Sequence, residues 1–260
     1  MTMEKLSSLA DRLVQLYLAA RTLKNRRQSQ NEVIQELCKF TGLSPSEVWK
    51  ELHVAEAKLA SEWKRRNPRD NEQVLEFYRA TKYYVFDLAN YDYFAFGPGG
   101  ALVRECMALL GRGRVLDYGG GIGDMIIRLA NRGCSDLTYY DVIGETMKFA
   151  RWRFAQRGLD VTVIEASDEE DRLEEEYDTI FCLDVLEHVC EPLRHAERLI
   201  SHLSRRDGRL FISVGKPETE YPMHISTFDS VSFLKRHRLV QKRAFRGFVS
   251  YYTRASLRQN

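Results

Sequence analysis

Residues 115–124 of the chain read Val115-Leu116-Asp117-Tyr118-Gly119-Gly120-Gly121-Ile122-Gly123-Asp124. A short apolar run passes into a cluster of glycines here, and an amphipathic helical pattern follows. In open α/β sheets, a glycine-rich turn between a strand and a helix is where nucleotide-like ligands bind. The segment therefore predicts an α/β fold with a ligand site at the carboxyl end of this strand.

Strand and helix patterns alternate through the rest of the chain after Gly113. Such alternation is typical of a mostly parallel sheet with helices on both faces. Seven apolar runs follow one another in this way, and only a short link separates the last two. We therefore expect a Rossmann-like, seven-stranded, mostly parallel sheet, whose last strand is antiparallel because of that link. The apolar runs are Arg114–Asp117, Leu137–Tyr140, Val161–Ile164, Thr179–Leu183, Arg209–Val214, Val240–Ala244 and Phe248–Tyr252, and the clearest helical stretches are Met147–Arg157 and Pro192–Leu203.

The N-terminal part of the chain has helical periodicity. An apolar stripe over Leu6–Ala20 predicts a first helix, and the polar stretch Lys24–Asn31 predicts an interruption after it. Ser44-Pro45-Ser46-Glu47 has the hydroxyl, proline and glutamate of a capping box, and Asn67-Pro68 predicts where that helix ends. We expect three parts: an N-terminal helical cap over residues 1–70, an aromatic-rich helical lid or linker over 71–104, and the α/β domain over 105–260.

Composition and charge exclude several classes of protein. The 260 residues carry 39 lysines and arginines against 37 acidic residues, and 44% are hydrophobic, which is ordinary for a globular chain. The sequence has no apolar run of the roughly 18–20 residues that cross a bilayer, and its first residues lack the pattern of a secretion signal. Five scattered cysteines favour free thiols in a reducing compartment. We therefore expect a cytoplasmic protein without a membrane span.

The glycine turn does not match the usual phosphate-binding patterns. A dinucleotide fingerprint needs glycine where Asp124 stands, and a phosphate loop needs a lysine that the segment lacks. Asp117 and Asp124 bracket the turn with negative charge, which suits a ligand with cationic groups. S-adenosylmethionine has a sulfonium and an ammonium group, and Asp141 follows the next strand at the spacing of a ribose-binding acid. The residues therefore favour S-adenosylmethionine as the cofactor.

Three segments, in order along the chain, resemble the motifs of one class of enzyme. The acid and the alternate glycines of 117–123 match motif I of class I S-adenosylmethionine-dependent methyltransferases. Tyr177–Val189 is similar to the fourth-strand motif of the ubiquinone/menaquinone-type small-molecule branch, and Asp207–Val214 is similar to its fifth strand. The resemblance implies methyl transfer to an oxygen, nitrogen or carbon atom of a small-molecule acceptor.

The same resemblance implies roles for residues in the cofactor site. The methionine part would lie on the glycines, the ribose on the acid after the second strand, and the adenine beside the third strand. The residues at these positions are Gly119, Gly121 and Gly123 for the methionine part, Asp117 for its amino group, Asp141 with Val142 for the ribose, Ser167 and Asp168 for the adenine, and Leu183 and Asp184 for the floor beside the transferred methyl.

Two histidines are candidates for the chemistry. Methyl transfer from a sulfonium is an in-line displacement, so a base is needed only where the acceptor must lose a proton. His188 follows the fourth strand and His224 lies in a loop after the fifth, and for each a structural hydrogen-bonding role is the alternative. Asp184, Glu187 and His188 also resemble the divalent-metal pattern of some O-methyltransferases. Because Asp184 replaces the first glutamate of that pattern, we predict no metal.

The aromatic segment before motif I predicts a lid over the acceptor. Tyrosine and phenylalanine rings suit an apolar or aromatic small molecule, and packing of the helical cap onto the sheet is the alternative. The candidate acceptor contacts are Tyr83, Tyr84, Tyr91 and Tyr93.

Other functions stay open at the level of sequence. Val33–Leu52 has helix-turn-helix spacing with basic flanks, which would suit an RNA 2′-O-methyltransferase or another nucleic-acid-binding protein. The acidic Glu47 and Glu51, and an apolar stripe that ends at Trp63, favour packing instead. A non-catalytic cofactor-binding subunit is a further alternative. We predict a small-molecule methyltransferase without a nucleic-acid partner, and a homodimer through the helical N-terminal region as its candidate assembly.

Overall fold

The computed structural model describes residues 26–95, 97–166, 173, 176–214, 221–245 and 249–254. Its centre is one seven-stranded sheet, as the sequence predicts. The strands are β1 (Val115–Tyr118), β2 (Leu137–Val142), β3 (Thr162–Ala166), β4 (Thr179–Leu183), β5 (Arg209–Ser213), β6 (Leu239–Phe245) and β7 (Val249–Arg254).

The strand order is β3-β2-β1-β4-β5-β7-β6. The pairs from β3 through β5 are parallel, and β7 runs antiparallel to both of its neighbours. The predicted antiparallel last strand is therefore confirmed, and it is inserted between β5 and β6. The chain reverses its direction of travel across the sheet between β1 and β4, which is the point where such sheets bind ligands.

Nine α-helical segments are described around the sheet. A π-helical turn, Tyr91–Ala95, follows the fourth of them, and a 3₁₀ turn, Leu186–His188, follows β4. The helices are α1 (26–41), α2 (Pro45–Arg66), α3 (Asn71–Ala80), α4 (Tyr84–Asn90), α5 (Gly97–Leu110), α6 (Asp124–Ala130), α7 (Glu145–Gln156), α8 (Pro192–Ser201) and α9 (Ser230–Arg236).

One predicted break in the N-terminal region is wrong. The polar stretch Lys24–Asn31 is helical from residue 26 onward, as part of α1. Arginine and glutamine are good helix formers, so a polar run continues a helix when it faces solvent. The helix predicted over Leu6–Ala20 lies outside the described residues.

Both ends of α2 follow the sequence signals. The Ser44 side chain accepts from the Glu47 backbone N–H while the Glu47 carboxylate accepts from the Ser44 N–H, which completes the capping box. At the other end Asn67 takes a left-handed conformation with φ 50°, and its N–H bonds back to the carbonyl of Trp63. These two devices fix the length of α2 at 22 residues.

The helical layer formed by α1–α4 shares a hydrophobic core with the α/β part. This shared cluster contains Leu37 of α1, Leu52 of α2 and Phe86 of α4. It also contains Ile122 and Phe149 of the α/β part. Each fully buried side chain of this size contributes roughly 1.5–3 kcal/mol to folding. The layer is therefore held firmly over one edge of the sheet, although the division at residues 70 and 104 stays a prediction.

Of the described helices, none is both long enough and apolar enough to cross a membrane. All five cysteines are free thiols.

Candidate active site

A cavity of about 720 Å³ lies at the carboxyl ends of the central strands. The glycine turn after β1 and the residues after β2 and β4 form its floor. Side chains of α2, α3 and α4 also line it, so the helical layer covers part of the cavity. Cavities of this size hold drug-sized ligands.

The glycine turn brings backbone close to the cavity. Gly119, Gly121 and Gly123 have φ values of 70°, 55° and 76°, a backbone conformation that residues other than glycine rarely adopt. A Cβ on Gly119 would also collide with the side chain of Val185. The N–H groups of Gly119 and Gly120 donate to the carbonyl of Tyr140, which fixes the turn against β2.

Asp141 is held rigidly at the end of β2. Its Oδ2 accepts from the Gly121 N–H at 2.6 Å and from the Tyr139 hydroxyl at 3.3 Å, and its Oδ1 accepts from the Val142 N–H at 2.6 Å. Burial raises the pKa of Asp141 to about 6, while the two backbone N–H donors oppose that rise. The carboxylate therefore presents fixed oxygens to the cavity.

Asp117 is a buried acid beside the glycine turn. Its side chain is only 4% exposed, and its Oδ2 has no hydrogen-bond partner among the described residues. Burial, and after it the negative charges of Asp141, Asp124 and Asp92, raises the pKa of Asp117 to about 8. Such an acid favours a cationic group placed next to it.

Arg104, on α5, brings a positive charge to the same end of the cavity. Its Nη1 donates to the Asp92 carbonyl at 2.8 Å, and its Nη2 lies 2.6 Å from Asp92 Oδ1. The guanidinium is thus anchored to the π-helical turn while it lines the cavity. Arg104 could not be predicted as a site residue, because no sequence motif marks an arginine within a long helix.

His188, His224 and Glu187 meet at the other end of the cavity. The atoms through which these three side chains could ligate a metal ion all lie within 4.8 Å of one another. His188 Nδ1 lies 3.1 Å from the Met223 carbonyl and 3.0 Å from the Tyr78 hydroxyl. Because a carbonyl only accepts, Nδ1 carries the proton and Nε2 remains an acceptor.

The two histidines differ in burial. Burial, and then the charge of His224, lowers the pKa of His188 to about 3, so this ring is neutral at pH 7. His224 is only half-buried, in the loop after β5. Of the two rings, His224 is therefore the more accessible from the cavity.

The chain is similar to known proteins in sequence and in fold. A family model described as a methyltransferase domain matches residues 91–260. The chain belongs to this methyltransferase family. A ubiquinone biosynthesis O-methyltransferase of Xylella fastidiosa (strain M23) is 38% identical over 104 residues, which are 38% of this chain and 41% of that protein. One of Aeromonas salmonicida (strain A449) is 33% identical over 102 residues, with 38% and 42% covered.

These similarities are partial. The chain spans about two fifths of the length of those curated relatives. Among solved structures, magnesium protoporphyrin IX methyltransferase of Synechocystis PCC 6803 with bound SAH superposes with a TM-score of 0.51 at 19% identity, over 72% of this chain and 100% of that one. At that identity the superposition supports the fold alone.

Most predicted cofactor positions of the methyltransferase line the cavity. Gly123 does not line it. Gly123 is the N-cap residue of α6, and a Cβ at this position would collide with the ring of Phe154. Ser167 and Asp168 lie outside the described residues. The predicted positions that line the cavity are Asp117, Gly119, Gly121, Asp141, Val142, Leu183 and Asp184, joined by both predicted histidines.

The four predicted tyrosines of the methyltransferase separate into two pairs. Tyr84 and Tyr91 line the cavity, and the Tyr91 hydroxyl donates to Asp184. Tyr83 and Tyr93 do not line it: Tyr83 lies under the ammonium of Lys58, and the Tyr93 hydroxyl donates to Asp124 at 2.7 Å. Neighbouring positions of a helix face different directions, which explains why only two of the four reach the cavity wall.

Sequence reasoning missed three polar residues on the acceptor side of the cavity. They are Tyr78 of α3, Asp87 of α4 and Tyr221 of the loop after β5. The Tyr221 hydroxyl donates to Asp87 Oδ2 at 2.7 Å, which joins the loop after β5 to α4. The dense aromatic pattern before the glycine turn was a signal for Tyr78, whereas the other two are brought together only by tertiary packing.

Proposed function

We propose that the protein is a cytoplasmic methyltransferase that uses S-adenosylmethionine to methylate a hydroxyl group of a small molecule. The main support is the buried side chain of Asp117 at the glycine turn, whose Oδ2 has no hydrogen-bond partner among the described residues, together with the fixed oxygens of Asp141. The hydroxyl as acceptor is supported by the histidines across the cavity and by the names of the curated relatives. Five free cysteines support the cytoplasmic location.

The residues present fit the cofactor at each charged group. Asp117 would pair with the ammonium, and the guanidinium of Arg104 would pair with the carboxylate. Asp141 and the Val142 backbone would hold the ribose, and Leu183 with Asp184 would border the reacting carbon. Ser167 and Asp168 stay predictions for the adenine. When bound, the cofactor supplies a methyl group on a sulfonium, whose sulfur keeps the electron pair of the breaking bond.

The chain's own residues would align the acceptor and remove its proton. His188, held by Met223 and Tyr78, would accept a hydrogen bond from the acceptor hydroxyl and set its direction. His224 would take the proton as the new oxygen–carbon bond forms. The helical layer would exclude water from the reacting groups, which strengthens each of these interactions.

The nucleic-acid alternative has less support. The apolar face of α2, with Val48, Leu52 and Ala55, packs in the core shared with α4. The exposed start of the helix carries the acidic Glu47, which would repel phosphate. The division into cap, lid and α/β domain stays a prediction. The homodimer through the helical N-terminal region is also a prediction, which a mass measurement in solution can test.

The test is calorimetric titration of the wild type with S-adenosylmethionine and S-adenosylhomocysteine, followed by a screen of hydroxylated small molecules with a labelled methyl donor. Asp141→Ala removes a charge-assisted contact to the ribose, so we expect it to weaken cofactor binding by about 10–100-fold. Absence of cofactor binding by the folded wild type would end the proposal. Binding without turnover on any hydroxyl would instead favour the non-catalytic subunit.

A further inference from the structure

Aromatic rings surround the acceptor end of the cavity. Tyr78 packs against Tyr84 at 5.2 Å between centroids, and Tyr221 packs against His224 at 5.0 Å. His188 lies between these two groups, nearly perpendicular to both Tyr78 and Tyr221 at interplanar angles of 89° and 80°. These neighbouring rings border one end of the cavity.

The charge at this end of the cavity is predominantly negative. Asp87, Glu56 and Glu187 line it together with the neutral His188 and the half-buried His224. Asp87 accepts the hydrogen bond from Tyr221, and within the described part of the chain no lysine or arginine forms an ion pair with it. Its pKa is raised to about 6, mainly by burial and also by the charge of Glu56.

The cationic side chains that line the cavity lie elsewhere. Arg104 is bound to Asp92 at the glycine turn. Arg198 donates to the Tyr140 hydroxyl beside β2, and Arg194 pairs with Glu191 on the surface of α8. Among the described residues, Asp87 therefore has no lysine or arginine as an ion-pair partner.

The cofactor proposed above does not account for this charge either. Its ammonium and ribose are assigned to Asp117 and Asp141, so no charged group of the cofactor is assigned to Asp87. Asp87 and its aromatic neighbours stay available to the acceptor. A carboxylate combined with the faces of tyrosine rings is a recognised way to bind an ammonium group.

We infer that the acceptor is a small hydroxylated amine, whose ammonium group binds Asp87 among the rings of Tyr78, Tyr84 and Tyr221. This inference rests on the proposed function, because it names the substrate class of the same site. With the amine at Asp87, the hydroxyl of a compact acceptor would face His188 and His224. Asp87 would then be a specificity-determining residue that contacts the substrate.

Three probes of equal ring chemistry test the inference. They are dopamine, 4-ethylcatechol and 3-(3,4-dihydroxyphenyl)propionate, which end in an ammonium, a neutral and a carboxylate group. Binding is measured by calorimetry at pH 7 on the full chain, with S-adenosylhomocysteine and EDTA present. A charge-assisted contact predicts that dopamine binds at least about tenfold tighter than 4-ethylcatechol, and that the carboxylate binds most weakly.

Two variants assign the preference to Asp87. Asp87→Asn should bring dopamine and 4-ethylcatechol within about twofold of each other, because the amide carries no charge. The matched change Glu76→Gln, on the exposed face of α3 outside the cavity, should keep the full preference. Affinity for S-adenosylhomocysteine and the unfolding temperature report whether each variant is folded.

Each other outcome has a defined meaning. Equal binding of the three probes, tighter binding of the carboxylate, or a preference that survives in folded Asp87→Asn would overturn the inference. So would cofactor binding without binding of any probe, which leaves the proposed function standing. If Mg²⁺ replaces EDTA and binds with an affinity that depends on Asp87 while dopamine does not bind, the negative charge serves a metal and the inference is wrong.

Discussion

The phenolic hydroxyl of Tyr91 donates a 2.9 Å hydrogen bond to Oδ2 of Asp184, and so joins the helical layer to the end of β4. Asp184 itself has a left-handed backbone with φ 56°, and its N–H is held by the Ser213 hydroxyl at 3.0 Å. A residue in this conformation persists only where its surroundings hold it. The bond therefore fixes both the lid and the floor of the cavity.

Tyr91→Phe should impair catalysis more than stability. Loss of one hydrogen bond costs about 0.5–1.5 kcal/mol, and here it also loosens the wall of the cavity. We expect KM for the cofactor or the acceptor to rise several-fold, as measured by steady-state kinetics with melting curves in parallel. Tyr83→Phe is the matched control, because that ring lies outside the cavity and should leave KM unchanged. Equal effects of the two variants would assign Tyr91 a packing role only.

Asp117 predicts a dependence of cofactor binding on pH. Because its pKa in the free protein is about 8, Asp117 is mostly protonated at pH 7 and must release its proton to pair with an ammonium group. Affinity should therefore rise as pH increases from 6 to 8, by up to about tenfold per unit. Calorimetry in buffers of different ionisation enthalpy measures the released proton. Asp117→Asn should bind more weakly and without this slope, whereas Asp136→Asn, a change of an exposed acid, should keep it.

The same group affects stability with a defined sign. The pKa of Asp117 is raised in the folded protein, so the folded state holds a proton that the unfolded state releases above pH 4. The free energy of unfolding should therefore fall between pH 4 and pH 8 through this group. In Asp117→Asn that part of the decline should be absent from urea unfolding curves, and an unchanged decline would contradict the assignment.

His224 is expected to carry the proton transfer. His224→Gln should lower kcat by about 10²–10⁴-fold, the usual contribution of a general base, with little change in cofactor affinity. The loss should shrink at high pH, where the acceptor hydroxyl ionises without help. His53→Gln, on the exposed face of α2, serves as the control. A kcat that falls no further in His224→Gln than in His53→Gln would remove the role.

A metal is not required by this mechanism. The turnover rate should therefore be unchanged after treatment with EDTA and after addition of Mg²⁺ to the treated protein. Activity that disappears with the chelator and returns with Mg²⁺ would contradict this prediction. Glu187, His188 and His224 would then hold a cation that lowers the pKa of the acceptor hydroxyl.

The predictable part of the molecule is the part encoded locally. Gly119 and Gly121 follow a strand at the spacing of a ligand-binding turn, and Asp141 ends the next strand, so their common location follows from parallel topology. Asp87 and Tyr221 are 134 positions apart and meet only because the helical layer packs over the loop after β5. Arg104 lies in an ordinary helix without a motif. Such contacts depend on how surfaces fit, which periodicity does not record.

A buried arginine joins the helical layer to the α/β part in addition to their shared apolar core. Arg153 of α7 is 1% exposed, and it donates to Glu36 of α1 at 2.9 Å, to the Tyr93 hydroxyl at 2.6 Å and to the Ile122 carbonyl at 2.7 Å. Arg153→Met would leave the Ile122 carbonyl without this donor, while Glu36 would keep its ion pair with Arg157. Leaving a buried polar group without its hydrogen bond costs about 1–3 kcal/mol, and we expect the free energy of unfolding in urea to fall by that amount. Arg151→Met, whose side chain is 58% exposed beside Glu165, should change it by less than about 1 kcal/mol. If the two variants unfold at the same urea concentration, the helical layer is held by its apolar contacts alone.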